Sequence, residues 1–326
     1  MFRWFSIASF LILSWQAGPA AAQPSTNFRG PTSGFVYSYS SRTIRPLLGV
    51  PGAAHIGSPL LNEVDYASVG PNGKWAFITR AGRSTFVHNL AEATTAEISA
   101  DGLIDAVDRV LWNRAGSVAL LYSSSGNRLQ RVRLFLTGAE ADAALDLSSW
   151  GSVTALAIDP PGRQIAFGVA GLGLYRFDTG QSPTLLSSIA KPAAAAFDGT
   201  GRRLYAVDLD RHQILEFDSD SSAMTFASLA QPEARSVNPV GLAVSGDGQY
   251  LVLADSEAHT VRVYDTTSRS LVDAIPLDFA PTRFEALSPG PTFLMNGENS
   301  GQWLLLLDAS RFPRVSFVPA NREEAQ

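Results

Sequence analysis

Cysteine is absent from all 326 residues. No disulfide framework can staple the fold, no thiol can serve as nucleophile, and no lipidated cysteine can anchor the chain as in a bacterial lipoprotein. Lysine is scarce as well: among 25 basic residues only Lys74 and Lys191 carry an ammonium group. With a formal charge of −5 and no basic run, the chain lacks the concentrated positive face that nucleic-acid phosphates require. No convincing amphipathic helix interrupts it. It has neither a G-x-S-x-G elbow nor a glycine-rich phosphate loop between strand and helix.

At 45% hydrophobic and 17% charged residues, the chain reads as globular. Arg3, the apolar run Phe5–Trp15 and the small-residue stretch AGPAAAQ form the pattern of a secretory signal, with cleavage expected after Ala22. The apolar run is too short to span a bilayer, and no later run is longer, so no transmembrane anchor is expected. Residues 1–22 are thus expected to be removed, leaving a secreted or periplasmic protein. Residues 23–33 and the tail 321–326 read as loose ends around one domain over 34–320.

Repetition is the strongest signal. YASVGPNGKWAFIT, RVLWNRAGSVALLY, ALAIDPPGRQIAFG, AAAFDGTGRRLYAV, GLAVSGDGQYLVLA and EALSPGPTFLMN share a strand, a glycine-bearing turn and a second strand. The turn glycines are Gly73, Gly116, Gly162, Gly201, Gly248 and Gly290, spaced by 43, 46, 39, 47 and 42 residues. Third strands close on aromatic-Asp, as in ILEFD (to Asp218) and VRVYD (to Asp265), and weaker fourth strands follow. Four short antiparallel strands every forty-odd residues predict an all-β fold, a β-propeller of four-stranded antiparallel blades. Six blades are favoured, with a partial seventh left open. VYSYSSRTI (36–44) overlays VYDTTSRSL (263–271), so residues 35–48 are expected to close the ring by lending outer strands to a C-terminal blade.

LADSEAHTVRVYD and AVDLDRHQILEFD place Asp255, Glu257 and His259 over Asp208, Asp210 and His212. Two carboxylates and an imidazole at alternate positions are candidate metal ligands. They equally suit a duplicated second-to-third-strand loop in which the aspartate accepts hydrogen bonds from its own backbone, and this reading is preferred. His55 and His88 have no acidic partner nearby in sequence. The tryptophans Trp75, Trp112, Trp150 and Trp303 are expected to pack between blades.

NPVGLAVSGDGQYLVLADSEAHTVRVYD (238–265) resembles the repeats of the YVTN and NHL β-propeller families, and the strand pairs of the gluconolactonase-like six-bladed family. The likeness is clear over residues 152–276 and speaks to architecture. It implies a site at the channel mouth, where the gluconolactonase-like family holds a divalent cation with acidic and amide side chains from several blades. The residue preceding the glycine of that family's N-G-[IL]-A pattern is here Val240, and Ala193 one blade earlier, so those two blades bring no ligand. Aligning the repeats on their turn glycines puts Asp65, Asp108, Thr154, Ala193, Val240 and Arg283 in one ring, with Arg109, Tyr66 and Phe284 beside it. Asp65, Asp108, Arg109 and Arg283 are the candidate ligand-binding residues, or else acid–base pairs across the opening. No cofactor is expected, though the resemblance leaves calcium open.

The preferred functional expectation is a monomeric, exported, non-enzymatic scaffold that binds a protein or peptide. The alternatives are a cation-dependent lactonase at the channel mouth and a carbohydrate- or small-ligand-binding envelope protein.

Overall fold

The computed structural model describes residues 31–71, 73–90, 92, 95–218, 223–229, 237–288, 290–297 and 304–319. The expected signal segment, most of residues 23–33, Trp303 and the tail 321–326 lie outside them. Among the described residues all regular structure is β, arranged in seven antiparallel sheets. No helix there is long and apolar enough to cross a membrane. Numbered along the sequence, blade 1 holds three strands (Thr32–Ser38, Thr43–Leu48, His55–Ile56) and blade 3 holds five. The other five blades hold four each.

Each repeat forms the blade its pattern predicts. In blade 6, Pro239–Val244 pairs with Tyr250–Asp255, then Thr260–Asp265, then Ser270–Pro276. The turn glycine Gly248 has φ near +75°, a conformation that costs a side-chain-bearing residue strain. The middle strands are apolar on both faces, as blades stacked on both sides require: Leu251–Ala254 and Leu304–Leu307 are fully buried. Apolar clusters join neighbouring blades. One unites Val207 and Ile214 of blade 5 with Leu251 and Leu253 of blade 6, and another unites Val36 and Leu47 of blade 1 with Leu294 and Leu306 of blade 7. The tryptophans pack as expected. Trp112 lies edge-on to Phe86 of blade 2 and donates its Nε1–H to Ser68 Oγ at 3.0 Å, and Trp150 packs on Tyr175 and Phe167.

The blade count corrects the sequence expectation of six. Residues 35–48 do not lend outer strands to the last blade, which has four of its own; they make a sheet of their own. Strand direction explains why this sheet has no turn glycine. Inner strands of the other blades start at the channel mouth and run away from it. Thr32–Ser38 instead ends there, since the loop that follows it brings Tyr39 to the channel and pairs Arg42 with Asp65. It therefore occupies the second-strand position, and among the described residues blade 1 has no inner hairpin. Its loop has the geometry of the second-to-third-strand loops elsewhere. Arg42, His212 and His259 all have φ near +50°, and their carbonyls accept from the amides of Val64, Leu229 and Leu277. Arg269, in a third-to-fourth-strand loop, has the same φ, so one four-residue loop serves both ends of a blade and the overlay on 263–271 could not tell them apart.

Candidate functional site

The inner strands enclose a channel with a cavity of about 670 Å³. Small residues, Ala155, Ala157, Ala194 and Ala195, form much of its wall, and the chemistry gathers at the mouth. Local backbone irregularity aims the side chains there. In blades 4, 5 and 6 the ladder between the first two strands shifts register at Val153/Ala155, Pro192/Ala195 and Pro239/Gly241. The skipped residues include Thr154, Ala193 and Val240, the ring members that the glycine alignment picks out. Bulges of this kind turn a side chain out of the ladder.

In blade 7 alternation does the same work. Phe284 is stacked on Phe293 at 4.5 Å and pressed against Gly241, and it lines the channel together with Arg283 and Glu285 on either side. The Arg283 guanidinium lies 5.3 Å from the ring centre of Tyr39, and 3.6 Å separates it from the Glu285 carboxylate. It also fills the space that a side chain at Gly297 would occupy. Glu285 keeps 46% of its side chain exposed, but that exposure is to the channel and not to bulk solvent. Burial within the ring pushes its carboxyl above the ordinary value, against the opposing pull of Arg283. Burial likewise raises the phenols of Tyr66 and Tyr39, so both are neutral hydrogen-bond donors at physiological pH. The mouth thus holds an acid of raised pKa, a fixed guanidinium and two phenols.

The sequence candidates divide. Arg283, Asp108 and Arg109 line the channel; Asp65 does not. Asp65 turns to its own blade, accepting from the Ala81 amide at 2.6 Å and pairing with Arg42. Asp108 accepts from the Ser124 amide at 3.0 Å and from the Ser124 hydroxyl. Arg109 lies 5.6 Å from the Tyr122 ring centre. Both aspartates therefore spend oxygen atoms on ordering loops. Glu285 and Tyr39 escaped the sequence reading. The available signal for Glu285 was the R-F-E alternation, which puts it on the same side as Arg283.

The duplicated loops take another form than a metal centre. Asp255 and Asp208 are fully buried, and each accepts from backbone amides of its own loop: Glu257 and Ala258 for the first, Asp210 and Arg211 for the second. His259 and His212 supply the left-handed residue that ends each loop. Among the described residues no three His, Asp or Glu side chains are grouped as a metal site would need. His55 is exposed, and His88 packs 4.4 Å from the ring of Trp75.

No family model matches the sequence, and no curated protein matches it either, so no family-model match supports the YVTN and NHL resemblance read over residues 152–276. Among solved structures the fold is similar to a candidate 6-phosphogluconolactonase from Bacteroides fragilis NCTC 9343, at 13% identity and a TM-score of 0.60, over 90% of this chain and 95% of that one. It is also similar to a candidate 6-phosphogluconolactonase from Bacteroides uniformis ATCC 8492, at 14% identity and TM-score 0.57, over 90% and 96%. A third is the periplasmic gluconolactonase of Pseudomonas aeruginosa, at 16% identity and TM-score 0.58, over 88% and 99%. At these identities the likeness shows the β-propeller fold alone.

Proposed function

We propose that this protein is a hydrolase of cyclic esters of the sugar-lactone type, acting at the channel mouth. The observation that carries the reading is Glu285: a channel-lining carboxyl whose pKa burial raises above the ordinary value, beside a fixed arginine and two phenols. Neighbours described as gluconolactonases share the fold and lend the reaction class. In this reading the ionised Glu285 takes a proton from water as the oxygen attacks the lactone carbonyl. Arg283 and the phenol of Tyr66 stabilise the oxyanion. The ring C–O bond then breaks, the leaving oxygen takes the proton back from Glu285, and an open hydroxy acid results. No metal ion enters these steps. The calcium alternative draws on Asp65 and Asp108; Asp65 lies off the channel lining and accepts from the Ala81 amide, and one oxygen of Asp108 holds the Ser124 amide and hydroxyl.

The scaffold reading is set second because the carboxyl with raised pKa lies in the channel and not on the outer loops. Export rests on the signal pattern at Arg3 and Phe5–Trp15, and a periplasmic address suits the fold's likeness to a periplasmic gluconolactonase. The mouth also needs blade 1, which brings Tyr39. We take that blade to close the ring between blades 7 and 2, a reading supported by the clusters it shares with each. Deleting residues 31–56 should therefore leave an unstable, aggregating protein; a variant that melts like the full protein would sink the closure.

The decisive assay follows hydrolysis of D-glucono-1,5-lactone by the protein from residue 23, above the spontaneous rate. Glu285→Gln should abolish it while melting no lower than the wild type. No acceleration by the wild type, or full activity in the variant, refutes the proposal.

A further inference from the structure

We infer that Tyr39 is the platform on which the ring of the substrate stacks, and that the site thereby selects pyranose-like rings over linear sugar acids. This rests on the channel mouth being the ligand site, as proposed above. Ten large apolar or aromatic side chains are exposed among the described residues, including Leu136, Val272 and Phe312. Tyr39 alone of these lines the channel, and it is 53% exposed.

An exposed aromatic recognises a ligand well only if it is already held in place, because ordering a loose side chain on binding consumes affinity. Tyr39 is held. The Arg283 guanidinium sits 5.3 Å from its ring centre, and the Tyr37 ring meets it at 4.7 Å and 70°. The hydroxyl of Tyr37 is shared between the carbonyls of Val64 at 2.7 Å and Asp65 at 2.8 Å, which fixes the strand that leads into the loop. Within the loop the Ser41 and Thr43 hydroxyls are 2.7 Å apart, the Arg42 carbonyl accepts from the Val64 amide at 3.0 Å, and Arg42 pairs with Asp65. Tyr39 lines the same channel as Glu285 and keeps 53% of its surface exposed.

Such a surface suits a molecule with an apolar C–H face and a polar edge. A sugar ring has both: the face lies on the phenol ring, and the edge hydroxyls and carbonyl reach Arg283 and Glu285. A linear aldonate has no such face. Blade 1 would then supply, from a loop, the residue that reads the shape of the substrate.

The test is titration calorimetry with D-glucono-1,5-lactam, a ring that cannot be hydrolysed as a lactone, and with the linear acid D-gluconate. The wild type should bind the lactam more tightly than gluconate. Tyr39→Phe should keep lactam affinity, and Tyr39→Ala should weaken it by about tenfold with gluconate affinity unchanged. Matching thermal melts would show that the variants fold. Unchanged lactam affinity in Tyr39→Ala overturns the inference, as does an equal loss in Tyr39→Phe or a wild type that ignores the lactam. A wild type that binds the lactam through Tyr39 yet leaves the lactone intact would defeat the hydrolase proposal and leave this inference standing.

Discussion

Asp255 and Arg262 form an ion pair of 2.9 Å with 0% and 6% of their side chains exposed. The second oxygen of Asp255 accepts from the amides of Asn238, Glu257 and Ala258, and Arg262 also donates to the Leu229 carbonyl of blade 5. One buried carboxylate thus orders a loop, fixes the start of its inner strand and holds the arginine that bolts two blades together. Asp255→Ala would leave that guanidinium buried and unpaired, so it should cost about 3–5 kcal/mol in urea unfolding. The double variant Asp255→Ala/Arg262→Met should recover part of the loss. The duplicate differs in its bolt: Leu215 stands where blade 6 has Arg262, and Asp208 faces Arg211, which is 59% exposed. Asp208→Ala should accordingly cost less than Asp255→Ala, and equal losses would contradict this account.

Glu285 gives a pH dependence with a definite sign. Its folded pKa lies above the 4.5 of an ordinary glutamate, so the folded state binds more protons than the unfolded state between those two values. Ionising it therefore costs stability as the pH rises. Glu285→Gln should be more stable than the wild type at neutral pH, with the gap closing below about pH 4.5. Melts of both proteins across pH 4–8 would check it, and a gap that widens toward acid would show the sign to be wrong.

Gly241 tests how blades 6 and 7 meet. A Cβ there would lie 2.3 Å from Phe284 Cβ, inside a packed interface. Gly241→Ala should cost about 1–3 kcal/mol by overpacking, and it should also disturb the mouth because Phe284 separates Arg283 from Glu285. Stability by denaturant and the lactone assay should fall together; a neutral result would mean the interface yields.

Asp65 and Asp108 hold loops at the mouth. Asp65→Ala and Asp108→Ala should each cost about 1 kcal/mol. Asp108→Ala should leave lactam affinity unchanged, whereas Asp65→Ala, which releases the Arg42 loop that holds Tyr39, should weaken it. Calcium added to EDTA-treated protein should leave the melting midpoint where it was, since a cation that bound only the folded state would raise it. A rise of several degrees that disappears in both alanine variants would restore the cation site.

Much of this architecture is legible in the sequence, for a physical reason. Five of the six turn glycines, Gly73, Gly116, Gly162, Gly201 and Gly248, have positive φ, a conformation that glycine adopts without strain and so marks in the sequence. Among the described residues the glycines count six inner hairpins and pass over blade 1. The ring positions at Thr154, Ala193 and Val240 were legible through the same alignment. Fates of individual carboxylates were not. Asp65 and Asp108 occupy equivalent places in the repeat, yet only Asp108 reaches the channel lining, because Arg42 draws Asp65 aside from a strand that no repeat pattern announces. Tyr39 was hidden for the same cause, since an overlay of similar loops put its hairpin at the wrong end of a blade.

That shared loop bears on how such proteins change over generations. A gene that loses the codons for an inner strand leaves a hairpin whose connection fits the opposite end equally well. The remaining strands can each move inward by one place without any loop being rebuilt. Among the described residues blade 1 has the form such a deletion would leave, and in it a connector residue, Tyr39, stands at the hub.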